Sequence, residues 1–219
     1  MGTSLKFRPR LEALEDRLAP GGGDVLPATA HPYGFTLTNM ASATALFNTS
    51  GNDPSQYPNT PFQILFVDPK TLTFNSVNGG LVVGGTNQFT VKPRTPFYVP
   101  LAFVDDSPPI IGTFPTTPQA AADYVFSHDQ IGLRDAQIVV DGHATSIGAA
   151  YVAGPVHTSP LADGGGTHYI AVGALLTPMS PGVHTVTISG AFSGVAFQQA
   201  TGLAFEQFAA TYTVTVQPH

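Results

Sequence analysis

The chain has 219 residues, of which 42% are hydrophobic and only 10% are charged, and its formal net charge is −6. It contains no cysteine, which excludes disulfides, zinc–thiolate sites, iron–sulfur ligation and thiol nucleophiles. Four of the eight basic residues lie in the first 17 positions, and beyond them four basic residues face eleven acids. So few dispersed cations cannot neutralise a run of phosphates or an anionic membrane surface, and we expect no nucleic-acid partner.

The composition is that of a folded domain with many turns. Gly (23) and Pro (20) make up about a fifth of the chain, while 15 Phe and 7 Tyr supply material for a core. No apolar run reaches the ~18–20 residues of a membrane span, so we expect no transmembrane segment. We divide the chain into residues 1–30, a charged segment with a flexible linker, and residues 31–217, a single β-rich domain.

The N-terminal segment carries leucines at positions 11, 14 and 18 between Pro9 and Pro20. This i, i+3, i+7 spacing predicts two turns of amphipathic helix, and the glycines at 21–23 predict a flexible joint. The stretch lacks the ~7–15-residue apolar core of a standard secretory signal. On composition alone, a frayed tail is the simpler interpretation.

The string Arg8-Pro-Arg-Leu-Glu-Ala-Leu-Glu-Asp-Arg-Leu-Ala-Pro20 resembles the N-terminal motif of many planctomycete surface and extracellular proteins. That motif has Arg and Pro followed by Leu-Glu-x-Leu-Glu-x-Arg and a small or apolar tail. In that family it is taken as a sorting or export feature. The resemblance therefore implies an extracellular or cell-surface location and implies nothing about the domain that follows.

The first half of the domain shows strand patterns separated by turn residues. Phe62–Val67 is apolar on both faces, which favours a central strand, and Pro100 favours an edge, a bulge or a bend. Asn78-Gly-Gly80 and Gly84-Gly85 are turn signals. The predicted strands here are Phe35–Thr38, Phe62–Val67, Thr71–Val77, Gln88–Lys92 and Phe97–Val104.

One helix is predicted, near 118–126, with Thr117 as N-cap and Pro118 at the first helical position. Asp141-Gly142 after the strand Ala136–Val140 predicts a two-residue hairpin turn. The stretches 168–176 and 183–188 read as one hairpin, and Thr211–Val216 closes the domain with Tyr212, Val214 and Val216 on one face. The fold class is therefore all-β, a two-sheet antiparallel sandwich of jelly-roll or immunoglobulin-like type.

The body of the chain, over roughly residues 61–216, weakly resembles a loosely defined group of uncharacterised bacterial secreted β-sandwich proteins. The resemblance rests on four features of the sequence. They are Asp141-Gly142, Asp163-Gly164, Pro181-Gly-Val-His184 and the closing strand Tyr212–Val216. The upstream Trp-rich segment of that group is missing, because this chain has no Trp. The resemblance implies no activity.

Two histidines are candidate metal ligands. His184 shares a strand face with Val186 and Ile188, and His168 begins the preceding strand, so a zinc or copper site would need both together with a third ligand. Without a definite third ligand, we prefer a half-buried His184 hydrogen-bonded to backbone.

Aspartates at strand ends are the second candidate group: Asp105, Asp106, Asp135, Asp141 and Asp163. Acidic loops can bind Ca²⁺ through six to eight oxygen ligands, but the Asp-x-Asp-x-Asp-Gly pattern is absent. Turn chemistry is the preferred interpretation, because Asp hydrogen-bonds its own backbone in turns.

The remaining candidate motifs are weaker evidence for a function. His128-Asp129 with Asp135 could be assembled with a serine into a Ser-His-Asp set, but no Gly-x-Ser-x-Gly elbow supports it. Residues 163–167 are glycine-rich without a phosphate-loop ending, and Asn48-Thr-Ser50 is a chance-level sequon. The tyrosines could form a sugar-binding platform, yet core packing explains them more simply.

The sequence thus predicts an exported or cell-surface bacterial protein with a structural or adhesive role. We expect it not to be an enzyme, and assign it no catalytic residue, cofactor or metal ligand. A cell-surface polysaccharide or protein is the expected partner. Two alternatives remain open: a carbohydrate- or calcium-binding module that uses the loops near Asp105 and Asp163, and an unrecognised hydrolase.

Overall fold

The computed structural model describes residues 23–218 of the chain, so the predicted helix and sorting motif within residues 1–22 lie outside the described residues. The described part is mostly β, with three helices rather than the single one predicted: one before the first strand and two between later strands. In chain order the elements are α1 (Leu37–Thr49), β1 (Gln63–Ile64), β2 (Thr73–Val77), β3 (Gly80–Val91), β4 (Phe97–Asp105), α2 (Pro118–Phe126), β5 (Leu133–Val140), β6 (His143–Ser146), β7 (Val152–His157), β8 (His168–Leu176), β9 (Gly182–Phe192), α3 (Val195–Thr201) and β10 (Glu206–Val216).

Six strands form the larger sheet, in the order β2-β3-β10-β9-β5-β6. The last strand, β10, lies inside it, parallel to β3 and antiparallel to β9. The hairpin turn predicted at Asp141-Gly142 is confirmed: it joins β5 to β6, and its two residues have φ of 48° and 85°. Such positive φ values suit the two-residue turns that match the twist of a hairpin.

The smaller sheet has the order β1-β4-β8-β7, with β1 parallel to β4. The prediction of wholly antiparallel sheets is therefore wrong, since each sheet contains one parallel pair. The predicted hairpin of 168–176 with 183–188 is also wrong, because β8 belongs to the smaller sheet and β9 to the larger. The residues between them, 177–181, carry the chain from one sheet to the other.

Residues from both sheets share one hydrophobic core. Val99 of β4 and Val172 of β8 belong to the same buried cluster as Ile138, Val186 and Tyr212 of the larger sheet. The predicted alternation in β10 is confirmed, since Tyr212, Val214 and Val216 are all buried. Fully burying each aliphatic side chain of this kind contributes about 1.5–3 kcal/mol relative to exposure.

Helix α1 covers the other face of the smaller sheet. Its Met40, Ala41 and Phe47 form a second buried cluster with Tyr98 of β4 and Tyr169 of β8. The prediction of a strand at Phe35–Thr38 is wrong, because the side chain of Thr36 caps the helix. Thr36 and Asn39 form a reciprocal capping box, which satisfies backbone N–H groups at the start of the helix. Because both of its faces are covered, β8 is buried over 169–176.

Helix α2 is confirmed over Pro118–Phe126, with the Thr117 hydroxyl accepting from the Ala120 N–H. The predicted central strand Phe62–Val67 is reduced to the two residues of β1 at the edge of the smaller sheet. Gly84-Gly85 is not a turn but lies within the long strand β3. Pro100 lies at an irregularity in the pairing of β4 with β8, as predicted. Within residues 23–218, no helix is long and apolar enough to cross a membrane.

Candidate functional site

Two loops meet where β4 ends and β8 begins. The antiparallel pairing places Asp105, the last residue of β4, opposite Tyr169 of β8. The segment that follows β4 therefore lies against the loop that precedes β8. The structure thus brings together two of the acidic stretches that the sequence predicted, Asp105-Asp106 and Asp163.

Asp106 joins the two loops through its carboxylate. Its Oδ1 accepts from the backbone N–H of Thr167 at 2.6 Å and of His168 at 2.8 Å, and its Oδ2 lies 2.8 Å from His168 Nδ1. Partial burial disfavours the charged carboxylate, but these donors outweigh it, so the pKa of Asp106 lies below its usual value. Asp106 is therefore held ionised by the loop that it stabilises.

Asp105, Ser107 and Asp163 form a second group beside Asp106. Ser107 donates its N–H to Asp105 Oδ1 at 2.8 Å and its hydroxyl to Asp163 Oδ1 at 3.2 Å. Burial, followed by the negative charge of Asp105, raises the pKa of Asp163. The three side chains line a cavity of about 220 Å³ whose wall includes Phe103 and Tyr124. Two neighbouring carboxylates with aromatic walls could accept a cation or the hydroxyl groups of a sugar.

His168 is an exposed ionisable group beside these carboxylates. Its side chain is 46% exposed, and the His157 ring lies edge-on to it with the ring centroids 5.3 Å apart. Within residues 23–218, no three His, Asp or Glu side chains converge as metal ligands. The described geometry is a hydrogen-bonded Asp–His pair next to two carboxylates, without a preformed zinc-type site.

A second Asp–His pair lies at the opposite end of the strands. His184 Nδ1 is 2.6 Å from Asp141 Oδ2, and its Nε2 is 2.8 Å from the carbonyl oxygen of Ser180. Asp141 Oδ1 also accepts from the Thr185 N–H at 2.8 Å. Because both ring nitrogens face acceptors, the doubly protonated imidazolium satisfies both bonds.

The pKa values of this pair follow from the same contacts. Burial disfavours charge on the His184 ring, but the bonds to Asp141 and Ser180 outweigh it and raise the pKa of His184 above its usual value. Burial of Asp141 is likewise outweighed by its donors, and its pKa is lowered. The pair therefore favours the ionised state of both partners.

Several predicted combinations are not assembled. His168 and His184 lie in different sheets, each paired with its own aspartate, so they do not form one metal site. Asp135 pairs with Arg134 at 2.8 Å, and the described residues show no side-chain hydrogen bond linking it to His128 or Asp129. His184 is bonded to backbone at Ser180, as the preferred interpretation has it, but it is 7% exposed rather than half-buried and also pairs with Asp141.

The tyrosines and the sequon are largely structural. Tyr98, Tyr169 and Tyr212 are fully buried in the cores, while Tyr33 is 63% exposed. Asn48, the acceptor of the sequon, is 8% exposed and donates its side-chain amide to the Tyr169 hydroxyl at 2.7 Å. Attachment of a glycan there would break this buried bond.

Sequence reasoning missed the Asp106–His168 and Asp141–His184 pairs. The partners are 62 and 43 residues apart, so no local pattern joins them. The sequence feature that could have indicated these pairs is the position of their members: each aspartate directly follows a strand, and each histidine lies near the start of another.

Comparison of the chain with protein-family models, with curated proteins and with solved structures returns no match.

Proposed function

We propose that the protein is an exported or cell-surface β-sandwich with a structural or adhesive role, and that it is not an enzyme. The observation that carries this proposal is the use of its acidic strand-end residues as structural links. Asp106 and Asp141 each accept hydrogen bonds from backbone N–H groups and from a histidine of another segment. Carboxylates committed in this way hold loops and strands in place.

The two sheets support the sandwich architecture, since they share a single hydrophobic core. An extracellular scaffold of this kind depends on sheet packing and on strand-end links, and a cysteine-free chain must achieve both without disulfides. The proposed location rests on the resemblance of Arg8–Pro20 to the planctomycete sorting motif.

The location is tested by fractionating planctomycete cells that express the full chain. The test variant replaces Leu11, Leu14 and Arg17 with alanine, and the matched control replaces Ser4 and Lys6. We expect the wild type and the control in the envelope or medium and the test variant retained inside the cell. Unchanged location of the test variant would contradict the sorting role.

The adhesive role is tested by co-sedimenting the purified full chain with cell-envelope preparations. We expect a saturable fraction to sediment with the envelope material. A chain that stays in the supernatant at every envelope concentration would contradict adhesion and leave only a structural role.

A cation- or carbohydrate-binding module is the second candidate, favoured by the cavity at Asp105, Ser107 and Asp163. The raised pKa of Asp163 reflects burial and repulsion from Asp105, and a bound cation would relieve that repulsion. The test is the melting temperature with added Ca²⁺ and after EDTA. If the leading proposal is right, the melting temperature changes neither with Ca²⁺ nor after EDTA. A calcium module would show a rise in melting temperature with Ca²⁺ that Asp163→Asn abolishes and the control Asp129→Asn retains.

A further inference from the structure

An apolar cleft of about 310 Å³ lies between the two sheets, near the end of β4 that carries the acidic loops. Its wall is formed by β4 on one side and by β3, β10 and β9 on the other. The side chains that define it are Leu72, Val83, Leu101, Phe192, Phe208 and Glu206. At the roughly 30 Å³ that a water molecule occupies, the volume admits on the order of ten non-hydrogen atoms.

Small residues create this space. Gly85 of β3 pairs with Ala210 of β10, and both line the cleft, so this part of the wall carries almost no side-chain volume beside Val83 and Phe208. A Cβ atom at Gly85 would overlap the Val67 side chain, which packs directly over the glycine. The strand interior is a costly position for glycine, and such a glycine often marks a close approach of backbone or ligand.

Among the described residues that line the cleft, Glu206 is the one ionisable group. It lies at the start of β10, on the same side of the strand as Phe208 and Ala210. Within residues 23–218 its carboxylate has no hydrogen-bond or salt-bridge partner among the contacts of the structure. Burial is the single cause that raises its pKa, so nothing in the described cleft compensates its charge.

The surroundings favour a cation as the missing partner. Phe103 borders both the cleft and the cavity of Asp105 and Asp163, so Glu206 shares this end of the molecule with other carboxylates. Arg134, which pairs with β9 near Phe192, is already engaged with Asp135 and Ser193. The described chain has four basic residues against eleven acids, so it offers few cations to neutralise these carboxylates.

We propose that the cleft binds a small apolar molecule carrying a primary ammonium group, with its body between the sheets and its ammonium on Glu206. The apolar wall supplies the binding surface, and the carboxylate supplies orientation through a charge-assisted hydrogen bond. This site adjoins the Asp105–Asp163 cavity at Phe103 but does not use its carboxylates as ligands, and it does not depend on the proposed location or adhesion.

The test uses the full-length protein and isothermal titration with hexylammonium, with 1-hexanol as a neutral probe of the same chain length. We expect hexylammonium to bind about tenfold or more tightly than hexanol, since a charge-assisted hydrogen bond of modest strength changes the affinity by about this factor. Glu206→Gln should lower hexylammonium affinity to that of hexanol. Asp24→Asn is the matched control and should leave it unchanged, because Asp24 is exposed and lies beside Thr177 at the other end of the strands.

The pH dependence adds a readout that a general loss of folding would not imitate. Hexylammonium affinity should fall as the pH decreases through the pKa of Glu206, whereas hexanol affinity should not. Equal affinities of the two probes, or an unaffected Glu206→Gln variant, would overturn the proposal. The absence of hexylammonium binding would also overturn it. If the protein is instead a dimer that Glu206→Gln dissociates, the cleft is occupied by a second copy of the chain, and the proposal is likewise wrong.

Discussion

Replacing Asp141 with asparagine tests the charge on the partly buried Asp141–His184 pair while retaining its shape. Asn can occupy the positive φ of 48° at this turn and can still accept from the Thr185 N–H. Its amide would then donate to Nδ1 of a neutral His184, whose Nε2–H would still reach the Ser180 carbonyl. The substitution therefore removes two charges and leaves the hydrogen-bond connections possible.

The magnitude follows from the exposure of the two partners. Hydrogen bonds to charged groups contribute about 1.5–3 kcal/mol, against about 0.5–1.5 kcal/mol for neutral ones. The His184 side chain is 9% exposed but that of Asp141 is 39% exposed, so solvent screens part of the interaction. We expect Asp141→Asn to lower the free energy of unfolding by about 1–2 kcal/mol near pH 5.5.

The sign of the pH dependence follows from the directions of the two pKa shifts. The raised pKa of His184 gives stability that is complete below its unfolded value of 6.5 and lost as the pH rises through the folded pKa. The lowered pKa of Asp141 gives stability that is present above its unfolded value of 3.8 and lost as the pH falls through the folded pKa. The difference between wild type and variant should be largest between these two values.

The assay is urea unfolding of both proteins across this range, with the difference in free energy plotted against pH. Asp135→Asn is the matched control, because Asp135 also has a positive φ of 53° but its ion pair with Arg134 is exposed. The control should change stability by less than about 0.5 kcal/mol at every pH. A difference for Asp141→Asn that is the same near pH 5.5 and near pH 9 would refute the ionised-pair reasoning.

Two further substitutions test the packing. Asn48→Ala should lower the free energy of unfolding by about 1–3 kcal/mol in urea titrations, because it removes the buried bond to the Tyr169 hydroxyl, whereas the exposed Asn75→Ala should be near neutral. Gly194→Ala should cost about 2 kcal/mol or more in the same assay, because its Cβ would overlap backbone atoms of Gln130 and Ile131. Gly148→Ala, whose Cβ would meet open space, is its control; equal effects of the two alanines would contradict this packing.

The strands with clear alternation and the turns with special residues were predictable from the sequence. Thr211–Val216, 168–176 and the Asp141-Gly142 turn were confirmed, because side-chain period and positive φ are local properties. Strand partners were not predictable in the same way. The pairing of β10 with β3 joins residues more than a hundred positions apart, and no turn sets its register.

Helix α1 was missed because its buried face is made mainly of small residues. Ala41, Thr44 and Ala45 are fully buried, yet they give little hydrophobic periodicity. Thr44 is accommodated because its hydroxyl bonds the Met40 carbonyl within the helix. Small side chains allow close approach to the smaller sheet, so tertiary packing determines this helix more than its pattern does.

The positions of Gly23, the first described residue, and of the candidate sites suggest how the proposed protein would be oriented relative to the cell surface. Gly23 donates its N–H to Thr177, next to Leu176, which pairs with Phe97 at the start of β4. The Asp105–Asp163 cavity lies at the other end of β4, eight residues away, or about 26 Å at 3.3 Å per residue. A chain held at the surface through the segment before Gly23 would therefore direct the acidic cavity and the Glu206 cleft away from its attachment. The Asp141–His184 pair lies at the attachment end, where it links the end of β5 to β9 and so stabilises the fold.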